Sequence, residues 1–321
     1  MLVLKNKKYK SKLISPWVIK KRFSKKGTII FYHGDAIEFL KSLPDNSVSL
    51  VVTSPPYNIG KEYEKKTTLD EYLKFHTKVI AKIYDVLKNN GSVCWQVGNY
   101  IDDGEIIPLD VKFYEIFKSF GFKLRNRIIW HYRHGLHASK KFSGRYETLL
   151  WFTKSDEYIF NLDSIRVPSK YPGKRHYKGA LKGIPSGNPN GKNPSDVWET
   201  IYNDWDSAFW DIPNVKANHP EKTIQPCQFP IELVERCVLA LTKSKQWILD
   251  PFAGVGSTLI AAAKNNRKSL GSEKEKKYYN LAISRLSQLK NGELKIRPIG
   301  KPIHQPNENE KVARVPEEWK K

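Results

Sequence analysis

The stretch Thr53-Ser54-Pro55-Pro56-Tyr57-Asn58 combines residue types that can form a rigid binding rim. It follows the apolar run Val48–Val52, which predicts a buried strand, and its two prolines cannot continue a strand ladder. Because proline fixes φ, the backbone carbonyls of this stretch point in set directions. The serine adds a small polar group and the tyrosine adds a flat aromatic face. The stretch therefore predicts the rim of a pocket at a strand end.

A second candidate site is the stretch Asp250-Pro251-Phe252-Ala253-Gly254-Val255-Gly256-Ser257-Thr258, which follows a strand predicted at Gln246–Leu249. Its two glycines, placed between a strand and a helix, let the backbone approach a ligand closely. Glu273 ends the next predicted strand about 20 residues further on, where a carboxylate can bind ribose hydroxyls. Because only two glycines of the dinucleotide fingerprint are present, a nucleoside ligand is better supported than a pyrophosphate.

Two polar residues beside these motifs each have two interpretations. Asp35 follows the first predicted strand, so it can cap the next helix or contact a ligand beside the pocket strand. Asn58 can stabilise a turn or line the pocket. The residue types alone leave both alternatives open.

The chain of 321 residues is 40% hydrophobic, enough for one large α/β domain with an insertion. Its net charge of +22 favours a polyanionic partner such as nucleic acid, although many proteins of a lysine-rich proteome are also basic. The cysteines Cys94, Cys227 and Cys237 show no metal or disulfide spacing and fit a reducing cytoplasm. We see no signal peptide and no membrane-spanning run, so a cytoplasmic location without a membrane partner is expected.

Strand and helix patterns alternate along most of the chain, which predicts a mainly parallel sheet with helices on both faces. The predicted strands are Thr28–Tyr32, Val48–Thr53, Ser92–Val97, Arg125–His131, Tyr146–Phe152, Gln246–Leu249 and Lys268–Glu273. Helices are predicted up to Leu43, over Asp70–Leu87 with Asn89-Asn90-Gly91 as C-cap, over Leu109–Phe120 and Ile231–Leu241, and up to Ala263 and Leu289.

Residues 166–220 differ from the rest because proline, glycine, asparagine and lysine are concentrated there, with Trp198, Trp205 and Trp210 among them. Basic groups interleaved with tryptophans are typical of a nucleic-acid surface. A disordered linker is the alternative.

The two motifs together resemble those of the DNA amino-methyltransferases that use S-adenosylmethionine. In that family a Pro-Pro-Tyr motif lines the target-base pocket, and a Phe-x-Gly-x-Gly motif binds the methyl donor. Here the first motif precedes the second, which resembles the permuted β group. The likeness extends over most of residues 28–290, including Gly34-Asp35-Ala36, Gly191–Trp198 and His219-Pro220-Glu221-Lys222.

The resemblance implies a Rossmann-like α/β fold, circularly permuted, with a seven-stranded, mainly parallel sheet and a loop-rich target-recognition insertion. It divides the chain into a basic arm (1–27), a catalytic half (28–165), a target-recognition region (166–220), an S-adenosylmethionine-binding half (221–295) and a surface tail (296–321).

The resemblance also assigns roles to residues. The Ser54 hydroxyl and Pro55 carbonyl would accept the hydrogens of an exocyclic amine, Pro56 would add rigidity, and Tyr57 would stack on a base flipped out of the duplex. The cofactor-binding residues would be Asp35, Asp250, Pro251, Phe252, Gly254, Gly256, Ser257, Thr258 and Glu273. The predicted DNA contacts are Arg133, Lys170, Lys174, Arg175, Lys178 and Lys182. The loop Tyr132–His137 lacks the partners of a metal site, so no metal is expected.

The substrate stays open between two bases. Ser before Pro-Pro favours the N4 amine of cytosine in this family, and the N6 amine of adenine is the alternative. Double-stranded DNA is the expected partner, and a cognate restriction endonuclease acting on the same site is a second candidate partner; the oligomeric state, monomer or homodimer, stays open. Cys227 lies before the cofactor motif, so it does not match the nucleophile of cytosine-C5 enzymes and is assigned to the start of the next helix. A catalytically inactive nucleic-acid-binding module is a further alternative.

Overall fold

The computed structural model describes residues 18–58, 66–132, 137–169, 171–198, 212–216 and 219–301. Within these ranges a nine-stranded sheet forms the centre of the molecule, and a two-stranded hairpin lies apart from it. The strands are β1 (Ile19–Lys20), β2 (Ile29–His33), β3 (Val48–Thr53), β4 (Leu87–Val97), the hairpin β5 (Asn99–Asp102) and β6 (Glu105–Pro108), β7 (Lys123–His131), β8 (Tyr146–Thr153), β9 (Val197–Trp198), β10 (Trp247–Asp250) and β11 (Lys268–Glu273). The helices are α1 (Ala36–Lys41), α2 (Leu69–Val86), α3 (Leu109–Ser119), α4 (Ile231–Leu241), α5 (Ser257–Lys264) and α6 (Lys276–Asn291).

The strand order across the large sheet is β1-β2-β11-β10-β3-β4-β8-β7-β9. All neighbours in it are parallel except those of β8, which runs antiparallel to both β4 and β7. The mainly parallel α/β fold expected from the sequence is therefore confirmed, and all seven predicted strands are present. The two additional strands, β1 and β9, are two-residue pairings at the edges, too short to give a periodic pattern.

Strands β3 and β10 are adjacent although nearly two hundred residues separate them in the chain. Leu50 pairs with Ile248 and Val51 pairs with Leu249 in parallel register. Since parallel strands end at the same edge of a sheet, the stretch after β3 and the stretch after β10 meet there. The order of the two motifs in the chain is thus compatible with one site.

Helices cover both faces of the sheet, and β3 is buried along its whole length. Leu50 and Val52 belong to an apolar cluster shared with α4, α5 and α6, whereas Val51 belongs to a second cluster shared with α1, α2 and α3. This alternation explains why β3 reads as a continuous apolar run rather than an alternating one. No helix in the described part of the chain is long and apolar enough to cross a membrane.

The prediction that Asn89-Asn90-Gly91 caps the helix before it is wrong. Helix α2 ends at Val86, and the chain continues directly into β4 at Leu87. The backbone amides of Asn46 and Ser47 donate to the carbonyls of Asp85 and Val86, so the helix end needs no glycine cap. The Asn-Asn-Gly segment lies instead at the irregularity in the β3–β4 register.

Residues 171–198, the longest described stretch of the predicted target-recognition region, are mostly exposed and rich in turns. Two isolated bridges, Val167 to Lys192 and Arg175 to Pro185, hold it together. Trp205 and Trp210 lie outside the described residues. The guanidinium of Arg297 is buried and donates to Glu232 Oε2 at 2.5 Å, so this residue of the predicted surface tail (296–321) does not lie at the surface.

Candidate active site

The carboxylate of Asp250 joins the two motifs at the edge of the sheet. Its Oδ1 accepts from the Thr53 hydroxyl at 2.7 Å and from the Phe252 amide at 3.0 Å, and its Oδ2 accepts from the Thr258 hydroxyl at 2.6 Å. Burial raises the pKa of Asp250 to about 6, and the hydrogen bonds from Thr258 and Thr53 oppose that rise. Because both oxygens are occupied by protein donors, Asp250 positions the site from within the core.

A cavity of about 440 Å³, here called the Glu273 cavity, lies between the two motifs. Four predicted cofactor residues line it, namely Asp35, Pro251, Phe252 and Glu273, together with the predicted catalytic residues Ser54, Pro55, Pro56 and Tyr57. Asp250, Gly254, Gly256, Ser257 and Thr258 form the strand end, loop and helix turn that carry one wall. The structure thus brings both predicted groups together. Direct contact between the cofactor and each of these residues stays a prediction.

Backbone amides hold Glu273 in place within this cavity. Its Oε2 accepts from the Gly254 amide at 2.9 Å and its Oε1 from the Glu275 amide at 2.7 Å. Burial raises its pKa to about 7, against the effect of these two hydrogen bonds. A fixed carboxylate at a strand end, in a cavity of this size, fits a nucleoside whose ribose hydroxyls donate to it.

Asp35 meets both interpretations offered by the sequence. It caps α1, because its Oδ1 accepts from the Ile37 amide at 2.8 Å and the Glu38 amide at 3.2 Å, and it also lines the Glu273 cavity. Asn58 also meets both interpretations: it has a φ of 58° and its side chain exchanges hydrogen bonds with the backbone of Thr67, and it lines the Glu273 cavity.

The glycine loop depends on Gln225, which the sequence did not single out. The Val255 amide donates to Gln225 Oε1 at 3.1 Å. Gly254 has a φ of 52°, and a Cβ placed there would lie 2.5 Å from Gln225 Nε2. This position therefore requires glycine both for its left-handed backbone and for the close approach of a side chain.

The rings of Tyr72, Phe75, His76 and Phe252 line part of the Glu273 cavity. His76 lies within 6 Å of the ring centroids of Tyr72, Trp95 and Phe252. Burial lowers the pKa of His76 to about 3, so its imidazole is neutral at physiological pH. The Tyr72 hydroxyl donates to the Pro56 carbonyl at 2.8 Å, which fixes the proline segment from below.

A second cavity of about 310 Å³, here called the Glu147 cavity, adjoins the first and shares Ser54, Tyr57 and Cys227 with it. Its other walls include Gln96, Trp130, Tyr132, Glu147, Lys216 and Phe229. Aromatic walls around a small polar floor suit a flat heterocycle. Cys227 was assigned to the start of α4, and the structure places its exposed thiol where the two cavities meet.

Four side chains form a continuous hydrogen-bonded row on the floor of the Glu147 cavity. Ser54 Oγ lies 3.1 Å from the Tyr57 hydroxyl, which donates to Glu147 Oε2 at 3.1 Å, and the Gln96 amide donates to the same carboxylate oxygen. Burial, with a smaller contribution from Glu147, raises the pKa of Tyr57 well above its ordinary value, so this tyrosine stays protonated. Desolvation also raises the pKa of Glu147, opposed by the hydrogen bonds from Gln96 and Tyr57.

Sequence reasoning missed Glu147 and Gln96. Both lie in strands that were predicted correctly, and Glu147 is the only charged residue in β8. A single acid in an otherwise apolar, buried strand was the available signal, because such a charge needs a partner.

The predicted DNA contacts lie on a different part of the molecule. The side chains of Lys174, Arg175, Lys178 and Lys182 are exposed in the insertion, and Arg175 donates to the Gly183 carbonyl at 2.6 Å. None of these four lines either cavity. Arg133 and Lys170 lie outside the described residues. A DNA-binding role for all six stays a prediction.

Comparison with known proteins identifies the family of the chain. Residues 48–284 match a family model described as DNA methylase. The chain is 52% identical over 257 residues to the type II methyltransferase M.BglII of Bacillus subtilis, covering 80% of this chain and 68% of that protein. It is 31% identical to the DNA adenine methyltransferase YhdJ of Escherichia coli K12, covering 79% and 81% of the two chains.

A solved structure shares the fold and carries the expected cofactor. It is a DNA modification methylase of Thermus thermophilus in complex with S-adenosyl-L-methionine, 26% identical, with a TM-score of 0.55 over 80% of this chain and 94% of that one. The residues matched by the family model, 48–284, include both motifs. The chain therefore belongs to the N6/N4 family of S-adenosyl-L-methionine-dependent DNA methyltransferases.

Proposed function

We propose that this protein transfers a methyl group from S-adenosyl-L-methionine to the N4 amine of a cytosine flipped out of double-stranded DNA. The observation that carries the proposal is the position of Ser54, an uncharged hydroxyl on the boundary between the Glu273 and Glu147 cavities. A group at this boundary can contact a base on one side while the methyl donor lies on the other. Serine at this place in the motif favours cytosine N4 within the family.

The exocyclic amine must be activated, because its lone pair is delocalised into the ring and it is therefore a poor nucleophile. When bound, S-adenosyl-L-methionine supplies an electrophilic methyl group on its sulfonium. The Ser54 hydroxyl and the Pro55 carbonyl would accept the amine hydrogens and localise the lone pair on nitrogen. The two prolines and the Tyr72 hydrogen bond to Pro56 hold these acceptors in place before the base arrives.

Base flipping follows from the depth of the site. An amine paired inside a duplex cannot reach Ser54, so the nucleotide must leave the stack, at a cost of a few kcal/mol. The aromatic walls of the Glu147 cavity, Trp130, Tyr132 and Phe229, together with Tyr57, offer stacking surfaces that offset this cost.

Adenine N6 is the second candidate. The specific observation in its favour is the relative YhdJ, which is named a DNA adenine methyltransferase. The same acceptors could engage an adenine amine, because both bases present an exocyclic NH₂ next to a ring nitrogen.

We also propose that the protein protects host DNA in a restriction-modification system, since the relative M.BglII is named a type II methyltransferase. A cognate endonuclease acting on the same site would then be its functional partner. The exposed basic side chains of residues 171–198 would contact the DNA around the target base.

The deciding experiment is mass spectrometry of nucleosides from plasmid DNA methylated in vitro by the purified protein. We expect N4-methylcytosine. N6-methyladenine alone would replace cytosine with adenine in the proposal, and the absence of any methylated base would overturn it. A Ser54→Ala variant is expected to keep cofactor binding in calorimetry and to lose most of the methyl transfer.

A further inference from the structure

A serine cannot by itself complete this reaction. The amine nitrogen that accepts a methyl group becomes positively charged until it loses a proton. A neutral hydroxyl is a poor base, so Ser54 needs a stronger base to pass that proton to. The carboxylate of Glu147 is such a base, and a single side chain, that of Tyr57, connects it to Ser54.

The connection consists of two hydrogen bonds in series. Ser54 Oγ lies 3.1 Å from Tyr57 Oη, and Tyr57 Oη donates to Glu147 Oε2 at 3.1 Å. Because the tyrosine proton is directed at the carboxylate, its oxygen is the acceptor for the Ser54 hydroxyl proton. The lone pairs of Ser54 are then available to the amine hydrogens, which is the polarity that the reaction needs.

We propose that Glu147 sets this polarity and is the final acceptor of the amine proton, which reaches it through Ser54 and Tyr57. The inference rests on the proposed function, transfer to an exocyclic amine. Glu147 is thereby a positioning and proton-accepting residue that acts through Tyr57.

The proton transfer balances without any further reactant. The bond between the sulfonium and the methyl group breaks as the bond between the methyl carbon and the amine nitrogen forms. The amine nitrogen gives a proton to Ser54 Oγ, Ser54 gives its own to Tyr57 Oη, and Tyr57 gives its own to Glu147 Oε2. Ser54 and Tyr57 end neutral, the methylated amine is neutral, and Glu147 is a carboxylic acid that later releases its proton to solvent.

The surroundings of Glu147 suit an acceptor of this kind. Desolvation raises its pKa, so the carboxylate binds a proton more readily than an exposed glutamate does. Gln96, which is 2% exposed, donates to the carboxylate from β4 and holds it in place when Tyr57 gives up its proton. The other titratable groups facing Glu147 come from the neighbouring elements and are Tyr132, Lys216 and Cys227.

A purely structural role would predict a different pattern of losses. The carboxylate could simply hold Tyr57 in place, and then a glutamine, which has the same shape and can accept the same hydrogen bond, would serve equally well. A proton acceptor cannot be replaced in this way, because an amide does not take up a proton at neutral pH. Glu147→Gln therefore separates the two roles.

The test measures single-turnover methyl transfer to a duplex with saturating S-adenosyl-L-methionine. Glu147→Gln is expected to lower the rate about 10²-fold, within the range of general-base catalysis, while cofactor affinity and thermal unfolding stay near those of the unaltered protein. Tyr57→Phe keeps the ring but breaks the connection and is expected to lose a similar factor. The double variant should be no slower than either single one, because both changes interrupt the same path.

The matched control is Glu105→Gln, the same chemical change on the exposed β5–β6 hairpin away from both cavities. The pH dependence of the single-turnover rate is a second measurement, and a purely structural role of Glu147 would leave it unchanged. The rate of the unaltered protein should fall at low pH as Glu147 becomes protonated, and this acid limb should weaken in Glu147→Gln.

A Glu147→Gln rate within about threefold of the unaltered rate would overturn the inference, since general-base removal costs far more than that. If Glu147→Gln fails to fold, Tyr57→Phe carries the test with the same threshold. Product identification on the unaltered protein keeps the two proposals apart: a methylated amine with undiminished Glu147→Gln activity overturns only the role of Glu147, whereas no methylated amine overturns the proposed function.

Discussion

Polar groups on the two sides of the site are held in different ways. On the proposed cofactor side, Asp250 and Glu273 accept hydrogen bonds from backbone amides, and Asp250 also accepts from two buried threonines. On the proposed base side, Ser54, Tyr57, Glu147 and Gln96 bond to one another, side chain to side chain. Backbone partners fix a geometry, while hydroxyl and carboxyl groups in a row can exchange protons. We infer that the cofactor side is built for rigidity and the base side for proton movement.

Removing the Asp250 carboxylate tests the rigidity of the cofactor side most severely. Asp250→Ala leaves the Thr53 and Thr258 hydroxyls and the Phe252 amide without their acceptor in a buried place. We expect the free energy of unfolding to fall by about 3 kcal/mol, since each stranded donor costs roughly 1–3 kcal/mol and the hydroxyls can partly reorient.

Urea denaturation measures this loss, with Glu147→Gln as the counterpart on the base side. That variant should lose less than about 1 kcal/mol, because an amide oxygen can still accept from Tyr57 and Gln96. If Asp250→Ala and Glu147→Gln lost equal free energy of unfolding, the proposed cofactor side would not be the more rigidly held of the two.

Gly254→Ala tests the close packing of the glycine loop. The added Cβ meets Gln225 at 2.5 Å on a backbone with a φ of 52°, so the loop or Gln225 must move. We expect S-adenosyl-L-methionine affinity in calorimetry to weaken by about tenfold or more, on the scale of 1–3 kcal/mol for such strain. Combining it with Gln225→Ala should recover part of the loss by removing the clash. A double variant as weak as the sum of the two single ones would show that Gln225 does not contact this loop in solution.

Cofactor affinity should depend on pH through Glu273. Its pKa of about 7 means that the carboxyl is largely protonated at pH 6 and ionised at pH 8. The ionised form accepts from ribose hydroxyls, so affinity should rise by about tenfold between these pH values if only that form binds. The stability of the cofactor-free protein should change with pH in the opposite direction to cofactor affinity. The raised pKa of Glu273 favours the folded state at low pH, and this contribution is lost as the pH rises through about 7.

Calorimetry at several pH values checks the first trend and thermal unfolding of the free protein checks the second. Glu273→Gln should bind the cofactor more weakly and should flatten both dependences. A pH-independent affinity in the unaltered protein would show that Glu273 does not contact the cofactor through its charged form.

The two sides also differed in how far the sequence could predict them. The proposed cofactor side is local in sequence: Asp250 to Thr258 are consecutive and Glu273 follows at a fixed interval, so spacing indicates Gly254, Gly256 and Glu273, and the motif resemblance indicates the others. The base side is assembled from β3, β4 and β8, whose pairing decides which side chains meet. Ser54 and Tyr57 belong to a motif and were found. Glu147 and Gln96 belong to no motif. They are neighbours only because β4 and β8 pair in antiparallel register, with Gln96 opposite Leu149 and Val97 opposite Thr148. Glu147 is two residues from Leu149, so its side chain lies on the same face of the sheet as that of Gln96. Gln225 belongs to no motif either, and it reaches the glycine loop from the segment that precedes α4.

The exposed insertion gives the smallest expected effects, since it belongs to neither side of the site. Lys174→Ala and Lys182→Ala change exposed side chains, and each should weaken DNA binding only a few-fold while leaving the single-turnover rate at saturating DNA unchanged. If each lysine neutralises one phosphate, the slope of log affinity against log salt should become shallower by about 0.9 per substitution. Fluorescence anisotropy with a labelled duplex at several salt concentrations measures the slope, and Lys118→Ala, an exposed position in the last turn of α3, is the matched control. A slope unchanged by both insertion variants would place the phosphate contacts elsewhere, whereas a lowered single-turnover rate would mean that the insertion also helps to position the target base.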